Sequence, residues 1–400
     1  MSQSTTSARA GGGVEDVLPL TPLQEGLLFH ALYEGEGPDV YTVQLVVEMT
    51  GPVDAAALRR AGQALLDRHA ALRVGFRHHG LDRPLAVVRR DVRLPFREIE
   101  LDGPDAERRC TDLMAAQRRA RFAMHRAPLV RMLLVRTPGG RSRLVLTVHH
   151  ILLDGWSYPV LLEELFTLYE AGPGALGPPV PFREHLAWLA RQDTDAALAA
   201  YDAVLHENPG PTLLSRLGRR VPGAVPAPAT ETVELTDEET ARLDAVVRRH
   251  GWTTNTALRA CWALVLGVAL GRRDVTFGAT TSGRPAEIPG VERMVGLFIN
   301  TLPVRVRWSW GEPFHDLVDR VQAEQTGLLT HQHVALSDVL ERAGTGELFD
   351  TSTCSRTTRW TPTPRRRCRT GSGSSTSRPP TPRTTRSAWP ACPASASPTG

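Results

Sequence analysis

Two adjacent histidines, followed by an aspartate and a glycine, are the residues of this chain best suited to chemistry. They stand in the stretch LVLTVHHILLDGWS, Leu144 to Ser157, as His149, His150, Asp154 and Gly155. An imidazole titrates near neutral pH, so it can accept or hold a proton under ordinary conditions. The apolar run ahead of the pair reads as a strand, and strand side chains alternate faces. Leu144, Leu146, Val148 and His150 then share one side, Thr147 and His149 the other. Only one of the two histidines can look into a given cavity, and His150, the last residue before the turn, is the candidate base. Asp154 can fold back under the strand end and brace the loop, with Gly155 free to adopt φ > 0.

Other chemistry is open to the same residues. A metal site would need a third ligand at useful spacing, and none is present, while adjacent strand residues diverge. A purely structural role, with a hydrogen-bonded core histidine and a turn aspartate, stands beside the catalytic one. The chain has no Gly-x-Ser-x-Gly elbow, so an acyl transfer here would be direct, without an acyl-enzyme.

The elements around the motif are those of an α+β fold. Thr21, Pro22 and Gln24 suit the start of a first helix with a capping box, and Leu23, Leu27 and Leu28 form its buried stripe. Tyr41–Met49, Leu72–Phe76, Leu85–Arg89, Val130–Val135 and Leu144–His149 read as strands. Helices are predicted from Asp54 to about His69, from about Asp105 to Phe122, and after Ser157. Gly172–Pro181 reads as a linker. Beyond it, the pattern predicts one helix from Phe182 to about Glu207, a second over 236–251, and a third over 255–270 that is apolar nearly all round and therefore central. A strand over 274–281, a strand-rich run from Met294 to Arg305, and helices over 313–330 and 336–342 follow. Each half mixes strands and helices, as two similar lobes would.

Composition excludes several classes. At 400 residues and 41% hydrophobic, the chain can bury a sizeable core, and no apolar run approaches a membrane span. The N-terminus lacks the apolar segment of a secretory signal, so the chain reads as cytoplasmic. Its five cysteines have neither disulfide nor zinc spacing. The net charge of +4 is misleading, because residues 351–400 hold nine Arg and no acid. Residues 1–350 carry 38 Arg against 43 acids, which leaves nothing to suggest nucleic acid as a partner. The last 50 residues also contain 29 Ser, Thr or Pro and no Leu, Ile, Val, Met or Phe. Such a segment cannot bury a core. Its abrupt start reads as a shift of reading frame in GC-rich DNA, with a designed linker as the alternative. The expected organisation is a disordered leader over 1–14, lobes over 15–175 and 176–350, and a disordered tail over 351–400.

VHHILLDGWS matches the HHxxxDG signature of the condensation domains of nonribosomal peptide synthetases, relatives of chloramphenicol acetyltransferase. PLTPLQEGLLFH resembles that family's first motif. Arg68 to Phe76 (RHAALRVGF) resembles RHExLRxxF, and Val295 to Arg305 resembles IGxFxNTxxxR. His331-Gln332-His333-Val334 resembles the start of a HQxxP-type motif. The resemblance implies two acetyltransferase-like lobes in a V-shaped pseudo-dimer with the active site in a tunnel between them. It also implies two partner carrier proteins, donor upstream and acceptor downstream, whose phosphopantetheine arms bring the substrates. This chain itself would bind no cofactor or metal, and nucleic acid and membrane are not expected partners.

In such a domain the acceptor amine attacks the donor thioester carbonyl to give an amide. By resemblance, His150 is the base or the group that positions the amine, His149 accompanies it, and Gly155 lets backbone approach the reacting centre. Asp154 is expected to be structural, paired bidentately with Arg305 across the lobes; Arg73 and Arg284 are the alternative partners, and Asn300 supports the site. The TPLQEGLLFH form of the first motif resembles the subclass that takes a D-configured donor. Two other functions remain: a stand-alone O- or N-acyltransferase, although the plant-type DFGWG motif is missing, and an inactive domain that recruits carriers. The family continues past the HQxxP region with strands that complete the second lobe, so that lobe is expected to be incomplete here.

Overall fold

The computed structural model describes residues 13–33, 39–218 and 230–355 of the chain. Of the leader expected over 1–14, residues 1–12 lie outside the described residues, and Val14 already begins a strand. Of the tail expected over 351–400, residues beyond 355 lie outside them, and Ser352–Thr353 pair with a sheet where no order was expected. What is described divides into two compact units. The first runs to Ala190 and takes in Arg284–Phe298; the second comprises Arg191–Gly283 and the residues from Ile299.

In the first unit the elements are β1 (Val14–Pro19), α1 (Pro22–Tyr33), β2 (Thr42–Thr50), α2 (Ala55–Arg68), β3 (Val74–Arg77) and β4 (Leu85–Arg89). They continue with β5 (Phe96–Glu100), α3 (Ala106–Arg119), β6 (Val130–Thr137), β7 (Arg141–His149), α4 (Ser157–Ala171) and α5 (Phe182–Leu189). One sheet has the order β2-β7-β6-β5, and a smaller one the order β1-β4-β3. β7 is hydrogen-bonded on both edges, to β2 with Thr42 opposite His149 and to β6 with Val130 opposite Val148. Leu144–His149 is buried without interruption instead of alternating, as in a strand covered on both faces, and Val145 packs with Ala106 and Cys110 of α3. The expected α1 cap forms: Thr21 N–H donates to Gln24 Oε1 at 3.0 Å, and Gln24 N–H to Thr21 Oγ1 at 3.3 Å.

The second unit contains α6 (Thr194–Leu205), α7 (Asp237–His250), α8 (Thr254–Leu270), β8 (Asp274–Thr281) and β9 (Asn300–Arg307), then α9 (Phe314–Gly327), α10 (Leu336–Arg342) and β10 (Ser352–Thr353). Its sheet has the order β10-β8-β9. Ala260, Ala263 and Leu266 of α8 pack on Val275 and Phe277 of β8, Val304 of β9 and Val318 of α9.

Several sequence expectations change. The helix predicted over 182–207 is two helices, because Asp193 starts a new one by accepting from Ala196 N–H at 2.9 Å. β1 and β5 were not anticipated; both are short and largely solvent-facing, so they lack an apolar signature. The linker expected at 172–181 is followed by an α5 that packs within the first unit, where Phe182 and Leu186 meet Ala71, Met294 and Phe298. In the run from Met294, only residues from Asn300 are strand.

α8 is not buried all round. Leu258, Val265 and Val268 are 50%, 55% and 84% exposed, and with Cys261 they form a second apolar stripe at helical spacing opposite the core face. The two faces predict opposite responses. Leu266→Ala should lower stability by about 2–5 kcal/mol, as truncation of a packed leucine does. Val268→Glu should change it by less than about 0.5 kcal/mol while reducing binding of a hydrophobic dye. Chemical denaturation of the two variants checks this, and a large loss for Val268→Glu would mean that the stripe is covered.

Candidate active site

The turn that follows β7 carries the histidines. His149 is the last strand residue, and its N–H donates to Leu129 O at 3.0 Å. His150 is the first residue of the turn, and its N–H reaches back to Tyr41 O at 2.8 Å. The turn then tightens through Leu152 N–H to His149 O at 3.1 Å and Leu153 N–H to His150 O at 3.2 Å. Gln24 of α1 donates from Nε2 to Ile151 O at 3.0 Å, a bond that its reading as a helix cap did not foresee.

The two side chains have different surroundings. His149 is fully buried; its Nδ1 accepts from Ile151 N–H at 3.1 Å, and its Nε2 lies 3.0 Å from Asp39 Oδ2. His150 keeps part of its surface open. Burial pulls its pKa below the ordinary histidine value, against the opposing pull of its own backbone and of the Asp154 charge. The imidazole is therefore neutral at neutral pH, the form that can accept a hydrogen bond or a proton.

Asp154 is wholly buried, and its carboxylate is surrounded by donors. Oδ1 accepts from Ser157 N–H at 2.9 Å and lies 2.9 Å from Ser157 Oγ, while Oδ2 accepts from Phe298 N–H at 3.2 Å. Arg284 Nη2 reaches both oxygens, at 3.1 and 3.3 Å. The Asp154 N–H donates to Gly296 O at 3.0 Å, and Gly296 N–H to Ser157 Oγ at 3.1 Å. Residues 294–299 are irregular for this reason, since their backbone groups serve Asp154 and Ser157 and not a sheet ladder. Arg284 is itself 5% exposed at the side chain, donates from Nη1 to the Val291 and Met294 carbonyls, and sits 3.9 Å above the Phe298 ring. Burial lowers its pKa, and the Asp154 charge opposes that shift.

Of the three arginines weighed for Asp154, Arg284 makes the contact. Arg305, the expected partner, belongs to the second unit and is occupied there: it pairs with Asp274 at 2.9 and 2.6 Å and donates to the Val204, His206 and Glu207 carbonyls. Arg73 grips Glu15 together with Leu66 O and Arg89 O, joining the residues before β3 to β1 and β4. Asn300 donates to Gln332 O and Val334 O in the second unit. Gly155 has no positive φ, so the turn does not need its conformational freedom; a Cβ there would meet nothing within 4 Å. Sequence reasoning missed Asp39 and the network role of Ser157. The Asp154–Ser157 spacing of three, typical of a helix cap, was the available signal for Ser157, whereas nothing local links Asp39 to His149.

His185 of α5 packs against Phe182 and Phe298 and next to Arg284. Burial, and then the Arg284 charge, lower its pKa from 6.5 to about 4.

A family model described as "Condensation domain" matches residues 14–354. One polypeptide of the linear gramicidin synthase of Brevibacillus parabrevis is 40% identical over 336 residues, which are 82% of this chain and 4% of that protein. Surfactin synthase subunit 3 of Bacillus subtilis (strain 168) is 30% identical, over 84% of this chain and 27% of that protein. The chain thus spans a small part of these curated relatives. Among solved structures, the first condensation domain of the calcium-dependent antibiotic synthetase, in complex with a substrate analogue, aligns with a TM-score of 0.68 at 23% identity. That alignment covers 86% of this chain and 80% of the other and shows a common fold. Among the described residues no single helix is long and apolar enough to cross a membrane.

Two outcomes follow from the site's electrostatics. Arg284→Met leaves the buried Asp154 carboxylate without its cation and should lower stability by about 3–5 kcal/mol. The double variant with Asp154→Asn should recover part of that loss, and strictly additive losses in a denaturation cycle would show the two side chains to be uncoupled. His185 acts through pH. Its folded pKa lies below its unfolded one, so the unfolded chain binds the proton first as pH falls. Its contribution is complete above about pH 6.5 and is lost between there and about pH 4, by up to about 3 kcal/mol. His185→Phe should flatten the stability profile over that window, as measured by denaturation at each pH.

Proposed function

Because the chain belongs to the condensation-domain family, we propose that it forms an amide between donor and acceptor acyl thioesters carried on the phosphopantetheine arms of partner carrier proteins. The observation that carries this reading is a neutral, partly open His150 on a turn whose backbone is hydrogen-bonded throughout. The acceptor amine attacks the donor thioester carbonyl, so a C–N bond forms and the C–S bond breaks. His150 takes, or holds in place, the proton that the amine sheds, and that proton ends on the departing thiolate. General acid–base help of this kind is worth about 10²–10⁴-fold. The open space at the Cβ position of Gly155, beside Asp154, leaves room for the reacting centre.

Asp154 has a structural part in this reading. Its buried carboxylate, matched by Arg284, Ser157 and the Phe298 N–H, holds the loop in place. His149 is turned away by strand alternation and is committed to Asp39 and Ile151. We assign the donor to the D-configuration, on the TPLQEGLLFH form of the first motif in α1. A second reading, a domain that recruits carriers without turning them over, is favoured by one observation: the apolar stripe that α8 of the second unit leaves exposed. An uncovered apolar face of this kind marks a surface for interaction.

The test loads donor and acceptor carriers with aminoacyl thioesters, D- and L-donors in parallel, and follows the amide by mass spectrometry. Wild type should couple, with preference for the D-donor, and His150→Ala should lose at least about 10²-fold while keeping the wild-type unfolding midpoint. Full activity in His150→Ala removes the base-or-positioner role, preference for the L-donor removes the stereochemical assignment, and carrier binding without product selects the recruiting domain.

A further inference from the structure

Asp39 lies just ahead of β2, is buried to 6% exposure, and is 110 residues away in sequence from the histidine it touches. Its Oδ1 accepts from Tyr41 N–H at 2.9 Å, and its Oδ2 faces His149 Nε2 at 3.0 Å. On the far side of the same ring, Nδ1 receives Ile151 N–H at 3.1 Å. A ring nitrogen that accepts a hydrogen bond carries no proton. The proton of His149 therefore sits on Nε2, 3.0 Å from the Asp39 carboxylate but not aligned on it as a full hydrogen bond. Burial presses the Asp39 pKa upward, but neighbouring His149, through contact and charge, then the Tyr41 N–H and the Arg121 charge outweigh it, so the carboxyl stays ionised.

We infer that Asp39 is a positioning residue for His150, acting through His149. The peptide that follows His150 is held through its N–H by His149 Nδ1, and the next peptide through Ile151 O by Gln24. The peptide that precedes His150 is held by its N–H on Tyr41 O, in the same short segment that Asp39 folds. With both flanking peptides fixed, the Cα–Cβ direction of His150 is fixed. Asp39 keeps His149 in the one tautomer that can take the Ile151 N–H. A misplacement of about 1 Å at such a group costs about a hundredfold in rate.

For its effect on turnover this inference rests on the amide-forming function above; the tautomer does not. Two-bond proton–nitrogen spectra of protein labelled with 15N-histidine, with His149 assigned by His149→Gln, should show Nε2 protonated and Nδ1 bare at pH 7. In Asp39→Ala that pattern should give way to exchange between tautomers. Asp39→Asn has one acceptor oxygen for two donors; with that oxygen on the Tyr41 N–H, its NH2 faces Nε2 and should move the proton towards Nδ1. With any donor–acceptor carrier pair that wild type couples, Asp39→Ala should lose about ten- to a hundredfold in kcat with KM unchanged, and Asp39→Asn should lose at least as much. A protonated Nδ1 in wild type, or unchanged kcat in Asp39→Ala, overturns the inference. Where Asp39→Ala does not fold, Asp39→Asn decides: an unaltered tautomer, or kcat kept despite an altered tautomer, overturns it. A wild type that couples no pair refutes the proposed function alone, and the spectra then decide the tautomer by themselves.

Discussion

The buried carboxylate of Asp154 is the constraint on which the first unit depends. An ionised group taken wholly out of water loses hydration worth several kcal/mol, and only a complete set of donors makes its burial tolerable. That set comes from three places in the chain: Ser157 at the start of α4, the Arg284 side chain, and the backbone N–H of Phe298. Because two of the three lie beyond the first elements of the second unit, the chain returns to the first unit with Arg284–Phe298. The return is reinforced by apolar packing, with Ile288, Val291, Met294 and Phe298 closing over Ala71 and α5. A short charged network thus decides which unit a whole segment joins.

The same burial has consequences at its edges. His185 shares the apolar cluster with Phe298 and feels the Arg284 charge, so it is kept neutral. Arg284 spreads its guanidinium over two carbonyls, a carboxylate and the Phe298 ring, so that the cation too is compensated in a dry setting. Elsewhere in the unit the Glu164 carboxylate of α4 is handled in the same way, by Arg68 and His69 at the end of α2. Burial works against its ionisation, yet these two neighbours hold its pKa below the usual value. Both ion-paired carboxylates sit on or before α4, so the helix that follows the histidine turn is anchored at its start and along its length.

How much of this was legible in the sequence depended on how local the physics was. The strand, the histidines, the turn and the α1 cap were readable because alternation, capping and turn chemistry act over two to four residues. The ion pairs were not. Bidentate geometry suits any arginine to Asp154, and the choice of Arg305 ignored strand register. Once β8 and β9 pair with Asp274 opposite Arg307, Arg305 is a diagonal neighbour of Asp274 on the same face and is satisfied there. Arg284, by contrast, lies in no regular element and gave no periodic signal. The strand expected from Met294 failed for a related reason, since its composition suits a ladder but its N–H groups are drawn to side-chain oxygens. In α8 the apolar composition was read correctly and its meaning was not, because a helix with two apolar stripes looks the same in sequence whether one face or both are covered.

The two histidines show why adjacent identical residues need not share a role. Alternation sends one side chain inward and leaves the other beside the turn. The inward ring is enclosed: Nδ1 accepts a backbone N–H and Nε2 lies 3.0 Å from a carboxylate, so the ring offers nothing to a substrate. That commitment is what lets the second ring take the other role. The turn that carries the second ring is tightly packed, with Ile151, Leu152, Leu153 and Asp154 all buried. Further stiffness is supplied from beneath by groups that cannot themselves react. In this unit Asp39, His149 and Gln24 provide it, and the partly open imidazole of His150 is the group with capacity for a proton.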